Sequence, residues 1–289
     1  MNHRSAQPAH PGVDLRCEVC HGSSYLVERQ GEWSVARLCD CVKPCPACRD
    51  TGFVAQGDGF RAPRKVCTCR MIHERIRRFN AAGIPARHAH CTLVTFEKNR
   101  TNLKTFAEVH RWIQEYQRRG DNRGLVLFGE VGRGKTHLMV ATVRELIFRY
   151  GVTARFVEFS HLIADLKSTF DRGGGASALL DPLTRVHVLA IDELGKGRNT
   201  EYEGTVVDEL ISRRYNAAAT LMGTANYGPG PSRGVAAPNL TEIGSPRSPG
   251  MPRLVDRVGE RVYSRLEEMC YFYELKGPDY RLRGRAWNG

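Results

Sequence analysis

The chain has 289 residues, 41% hydrophobic and 26% charged, a size and balance that suit about two globular domains and exclude a disordered polymer. No run approaches the ~18–20 apolar residues of a membrane span, and Met1–Gly12 is polar with no signal-peptide core, so a cytoplasmic protein with no membrane partner is expected. Forty-three Lys and Arg against 31 Asp and Glu leave a net charge of +12, which favours an anionic partner such as nucleic acid.

Residues 1–16 read as a flexible tail. Eight of the ten cysteines follow within residues 17–70: Cys17, Cys20, Cys39 and Cys41, then Cys45, Cys48, Cys67 and Cys69. Adding 28 to each of the first four gives the second four, so the unit CxxC, eighteen residues, CxC occurs twice. A cytoplasmic chain keeps its thiols reduced, and clustered cysteines there point to metal. Two short knuckles turn four thiolates inward, which suits a closed tetrahedral zinc site of structural type. Segments such as Ser24–Val27 and Gly52–Val54 suit the strands of small zinc-ribbon hairpins. With few large apolar residues here, metal is expected to supply the missing folding free energy. One zinc per repeat is the preferred pairing. A nested pairing, Cys39/Cys41/Cys45/Cys48 inside Cys17/Cys20/Cys67/Cys69, fits the spacing too. A redox role lacks the βαβ context that such a CxxC needs.

Residues 71–100 read as a basic linker helix and connector. The helix is placed at Met71–Ala82, ends at Gly83, and carries Arg75, Arg77 and Arg78, for solvent or for DNA phosphate.

Residues 101–289 turn α/β. The apolar run Leu125–Phe128 predicts a buried parallel strand, and Gly129-Glu130-Val131-Gly132-Arg133-Gly134-Lys135-Thr136 follows at once. This is the P-loop pattern, a phosphate cradle of backbone N–H groups that opens a helix and includes His137 at its start. In it Lys135 reaches the β- and γ-phosphates and Thr136 binds Mg²⁺. A second strand is expected at Arg155–Phe159 and a helix at His161–Phe170. The apolar strand Val186–Ile191 then ends in Asp192 and Glu193, with Asp192 for Mg²⁺ and Glu193 to polarise the attacking water. Thr220–Asn226 reads as another strand whose terminal Asn226 orients water or senses the γ-phosphate. Gly228–Pro252, with six Pro and five Gly, reads as a mobile loop. A helix with Arg257, Arg261 and Arg265 on one face and a strand at Tyr271–Leu275 complete the pattern.

From about Ile84 to Arg281 the chain resembles the AAA+ ATPases, and within them the bacterial helicase loaders of the DnaC/DnaI type and the IstB transposition ATPases. The resemblance is carried by Gly83-Ile84-Pro85 with Cys91-Thr92-Leu93, the P-loop, Ile191–Gly195, Ile211–Tyr215, Thr224-Ala225-Asn226, Gly259–Leu266 and Asp279-Tyr280-Arg281. It implies an α/β P-loop fold with a five-stranded parallel sheet in the order 5-1-4-3-2 and ATP at a subunit boundary of a homo-oligomer. About 14 residues follow the last strand, too few for the helical lid of larger AAA+ proteins. By the same match Arg265 looks like the arginine finger supplied in trans, with Arg261 next. Phe170, Thr200 and Tyr202 fall where similar loaders meet single-stranded DNA. The function implied is an ATP-dependent loader that holds a replicative helicase through its zinc module and delivers it to single-stranded DNA. The alternatives are an IstB-like ATPase acting on transposition target DNA and a zinc-dependent adaptor that does not hydrolyse ATP. The expected cofactors are ATP, Mg²⁺ and two Zn²⁺.

Overall fold

The computed structural model describes residues 9–57, 62–171, 177–197, 200–229 and 253–283. Most of the Pro/Gly-rich segment read as a mobile loop, the start of the tail and the side chain of Phe170 lie outside the described residues. The chain divides into two compact units. One holds residues up to His90 together with Val143–Ala154, and the other holds Cys91–Thr142 and Arg155 onward.

In the first unit the duplication is structural. Strands β1 (Tyr25–Gln30) and β2 (Trp33–Leu38) form one antiparallel hairpin, and β3 (Phe53–Ala55) and β4 (Arg64–Val66) form another. Tyr25 faces Leu38 in the first and Phe53 faces Val66 in the second, the same register moved by 28 residues. The knuckles repeat bond for bond. His21 N–H donates to Cys17 O (2.8 Å) and Arg49 N–H to Cys45 O (2.7 Å). Cys39 N–H donates to Ser24 O and Cys67 N–H to Gly52 O, both at 2.9 Å. The Ser23 hydroxyl donates to Cys20 O and the Thr51 hydroxyl to Cys48 O. Both copies turn through left-handed backbone at the same three places, His21, Gly22 and Ser24 in one and Arg49, Asp50 and Gly52 in the other.

Helix α1 (Cys69–Ala81) buries Ile72 and Phe79 in this unit, an i, i+7 pair on one face. Its Asn80 amide pairs with both backbone groups of Ala36, accepting at 2.7 Å and donating at 3.0 Å, so a side chain closes the free edge of β2. Phe148 stacks flat on Tyr25, ring centres 3.7 Å apart and planes 3° from parallel.

The second unit is built on one parallel sheet. Its strands are β5 (Gly124–Phe128), β6 (Ala154–Glu158), β7 (Val188–Asp192), β8 (Thr220–Ala225) and β9 (Cys270–Glu274), in the spatial order β6-β7-β8-β5-β9. Counted one to five along the chain, this is the expected order 5-1-4-3-2. Strands β5, β7 and β8 are buried at every residue, as their continuous apolar runs require. Helices α2 (Leu103–Glu115), α3 (Lys135–Glu145), α4 (Phe159–Asp171), α5 (Ser177–Arg185), α6 (Glu201–Asn216), α7 (Val255–Val258), α8 (Glu260–Met269) and α9 (Tyr280–Arg283) complete the description. Leu166, Leu189, Leu210, Leu221 and Leu266 belong to one apolar core that α4, α6 and α8 form with the sheet.

Helix α2 is an element that motif reading passed over, although Val109, Trp112 and Ile113 keep helical spacing and are buried. The buried Arg214 of α6 donates to the carbonyls of Leu183, Thr184, Val186 and His187 and to Thr220 O, fixing the entries to β7 and β8. Burial lowers its pKa to about 10. Among the described residues no helix is long and apolar enough to cross a membrane.

Candidate nucleotide site and cysteine centres

Strand β5 delivers the chain into Gly129–Gly134, and α3 begins at Lys135. Gly129, Gly132 and Gly134 all have positive φ, which a loop wrapping its N–H groups around phosphate demands. At Gly132 space decides as well, because an added Cβ would stand 2.0 Å from Asp279 Oδ1. The loop is held from above by Tyr280, whose N–H donates to Gly132 O at 3.0 Å.

Lys135 is 7% exposed, and its ammonium donates to Gly129 O (2.9 Å) and Glu130 O (2.6 Å). Burial lowers its pKa to about 8, Asp192 opposes that fall, and the charge of Arg281 adds to it. Asp192, at the end of β7, is buried and its pKa is raised by that burial, against the pull of two hydroxyl donors. Those donors are Thr136 Oγ1 at 2.8 Å and Thr224 Oγ1 at 2.6 Å. A hydroxyl beside a buried carboxylate at the P-loop is the donor set that suits Mg²⁺ bound with a nucleotide phosphate.

Glu193 follows in left-handed backbone, φ +56. Its N–H donates to Thr224 Oγ1 at 2.9 Å, and its carboxylate is paired with Lys196. Asn226 stands half-buried just past β8. Thr224 therefore bridges Asp192 and the Glu193 backbone, a part that motif reading missed. The signal for it is a hydroxyl near the end of the strand beside β7, two residues before Asn226.

Other expected site residues lie apart from this cluster or have partners of their own. Val131 is exposed, and Arg133 is paired with Glu130. The His137 ring contacts Thr92 O at 3.0 Å and meets the Phe96 ring edge-on. Arg265 of α8 donates to Asp208 Oδ1 of α6 at 2.5 Å, while Arg261 is exposed. The Thr200 hydroxyl caps α6 by accepting from Glu203 N–H, and Tyr202 packs half-buried on the apolar core. Arg123 donates to Glu267 O and Cys270 O and lies over the Tyr271 ring.

The eight cysteines gather as two groups of four, Cys17/Cys20/Cys39/Cys41 and Cys45/Cys48/Cys67/Cys69, with all ligand atoms of a group within 4.8 Å of one another. This is the sequential pairing, one group per repeat. A tetrahedral zinc with Zn–S bonds of ~2.3 Å sets its sulfurs about 3.8 Å apart. The Cys17–Cys39 and Cys45–Cys67 sulfurs stand 3.8 and 3.7 Å apart, and Cys20–Cys41 and Cys48–Cys69 stand 3.6 and 3.4 Å apart. Both groups fit zinc. His10, buried, supports them from outside: its N–H donates to Ser24 Oγ (2.8 Å), and its Nε2 lies 3.7 Å from the Asp50 oxygen that accepts Cys45 N–H.

Comparison with known proteins reaches the same region. The family model described as IstB-like ATP binding protein matches residues 76–228, more than half of the chain. The chain belongs to this IstB-like ATP-binding family. The replicative helicase loader DnaC of Escherichia coli (strain K12) is 28% identical over 143 residues, 48% of this chain and 56% of that protein. The chain thus matches little more than half the length of that relative. The phage-like element PBSX protein XkdC of Bacillus subtilis (strain 168) is 26% identical over 277 residues, 90% of this chain and 91% of that one. A crystal structure of the DnaC helicase loader superposes with a TM-score of 0.54 at 26% identity, over 66% of this chain and 99% of that chain. For this IstB-like member, then, an AAA+ ATP-binding fold of DnaC type is shown.

Proposed function

We propose that the protein is an ATP-hydrolysing loader of a replicative helicase, with the cysteine unit holding the helicase and the sheet unit acting as the ATP-controlled part. The observation that carries the ATPase reading is the cluster of Lys135, Thr136, Asp192 and Thr224 around one carboxylate at the mouth of the P-loop. The loader reading is supported by the similarity to DnaC in sequence and in fold.

Lys135 leaves the two loop carbonyls for the β- and γ-phosphates of ATP, and those phosphates return its proton affinity. Thr136 and Asp192 would hold Mg²⁺, which would supply neutralising charge for the phosphates. Glu193 exchanges Lys196 for the attacking water and orients it. Asn226 faces the same terminal phosphate. Arg265 acts on the ATP of a neighbouring copy, and to do so it must leave Asp208. Single-stranded DNA is assigned to the segment around Thr200 and Tyr202 and to Phe170.

The deciding experiment retains proteins on the full zinc-loaded chain with Mg²⁺ and ATP. The replicative helicase of the host is expected on the resin, and its loss with Cys45→Ser assigns the contact to the cysteine unit. Recovery of a transposase in its place favours the second reading, an IstB-like ATPase of transposition, to which the family match itself points.

A further inference from the structure

The two cysteine repeats fold alike but treat their aromatic ring oppositely. Tyr25 of the first repeat is 6% exposed, lies flat against Phe148 at 3.7 Å, and has the Arg144 guanidinium over its ring. Phe53, the same position 28 residues later, is 41% exposed. Its cross-strand neighbour Val66 is 56% exposed, whereas Leu38, the equivalent in the first hairpin, is half-buried.

Phe53 points outward because β3 alternates: Val54 packs on the four cysteines, so Phe53 and Ala55 take the other face. The paired residues Val66 and Arg64 stand on that face with them. The Arg70 guanidinium lies over the Phe53 ring, 5.0 Å from its centre. Gly52 lets it lie there, since a Cβ at that position would meet Arg70 Cδ at 2.8 Å. Arg49 and Arg64 are exposed as well, Arg64 on the same face as the ring, so the hairpin presents an aromatic ring beside cations.

We propose that this hairpin is a stacking platform for single-stranded nucleic acid, with a base laid on the Phe53–Arg70 pair and phosphates met by Arg64 and its basic neighbours. Charge decides the ligand class. A ring with Arg70 over it and Arg64 on the same face suits a planar base carried on a polyanion, and stacking of this kind tolerates any sequence. The first repeat shows what the same fold does with such a ring: it accepts a parallel aromatic partner together with an arginine, and there the chain supplies both. In the second repeat the partner comes from outside. This platform is separate from the strand contact assigned above to Thr200 and Tyr202.

The test uses the full zinc-loaded chain and a fluorescent oligothymidylate. Phe53→Ala is expected to weaken binding about ten-fold. Phe53→Leu should match the alanine variant, because it keeps apolar bulk and loses the ring, and Phe53→Trp should keep or tighten binding. Zinc content and DNA-free ATP turnover should not change in any of them. An oligonucleotide carrying 5-iododeoxyuridine, irradiated and mapped by peptide analysis, is expected to crosslink at Phe53. Unchanged affinity in Phe53→Ala with zinc intact overturns the platform. So do crosslinks confined to residues beyond His90, an outcome that leaves the loader reading standing. Release of the helicase by Phe53→Ala with oligonucleotide affinity intact also overturns it, and makes the face a protein contact.

Discussion

Around strands β5–β9 the core is aliphatic, with Leu189, Leu210 and Leu221 at most 2% exposed. Around β3 and β4 the corresponding buried cluster is four cysteines with half-buried Val54. The sheet unit removes apolar surface from water, worth about 25 cal/mol per Å², and its strands need no ligand to stay together. The second repeat has a hairpin of three-residue strands and almost no apolar interior, so ligation by its four cysteines is expected to supply its folding free energy. Each unit accordingly has its own point of failure.

The sharpest way to break this comparison is chelation. Removing metal should unfold the cysteine repeats while the sheet core persists, since structural zinc contributes about 10–16 kcal/mol in small zinc modules. Thiol alkylation read by mass spectrometry should label the eight clustered cysteines quickly and the buried Cys270 slowly. Equal labelling rates would show that the units do not differ in this way.

Within the sheet unit, Thr224→Val removes a donor to a buried carboxylate and an acceptor for Glu193 N–H. Hydrogen bonds to charged groups contribute about 1.5–3 kcal/mol, so ATP turnover should fall ten-fold or more. Nucleotide affinity without Mg²⁺ should hold, and a parallel loss of that affinity would assign Thr224 to the fold instead.

The pH response should separate the units next. Lys135 has its pKa lowered to about 8 by burial, so above pH 8 the empty site loses its ammonium. ATP affinity should stay level to pH 7 and weaken about ten-fold by pH 9, with close to one proton taken up on binding there. The sign for stability is opposite: the unfolded chain holds this proton longer, so the Lys135 contribution to stability rises from pH 8 towards the unfolded pKa of 10.5. Calorimetry in two buffers of different ionisation enthalpy reads the proton count.

The smallest expected effect belongs to Asp208. Exposed ion pairs contribute about 0–1 kcal/mol, so Asp208→Ala should free Arg265 and raise oligomer-dependent ATPase only a few-fold. A fall in activity would mean that Asp208 positions the arginine and does not restrain it.

How much of this was legible depended on whether the signal was contiguous. The P-loop lies on one stretch, and the cysteine repeat on one offset of 28 residues, so both could be read directly. The sheet order followed from the family resemblance. Thr224 was hidden because its bond to Asp192 exists only once β7 and β8 pair, with Ile191 opposite Gly223. The Asp208–Arg265 pair joins two helices 57 positions apart. Phe148 reads as one more apolar residue on the P-loop helix until it is found on Tyr25. The cap role of Thr200 was readable, since Glu203 follows it by three, the spacing of a capping box.

Glu193 sits in a backbone shape that costs a residue with a side chain about 1–3 kcal/mol. Glycine carries no such cost, so Glu193→Gly is a change that selection for heat resistance would reward while, on the role proposed for Glu193, removing the group that orients the attacking water. On that proposed role, a library screened only for survival on heating would drift toward sturdy, idle proteins at this position, and an effort to toughen this chain would hold residue 193 fixed.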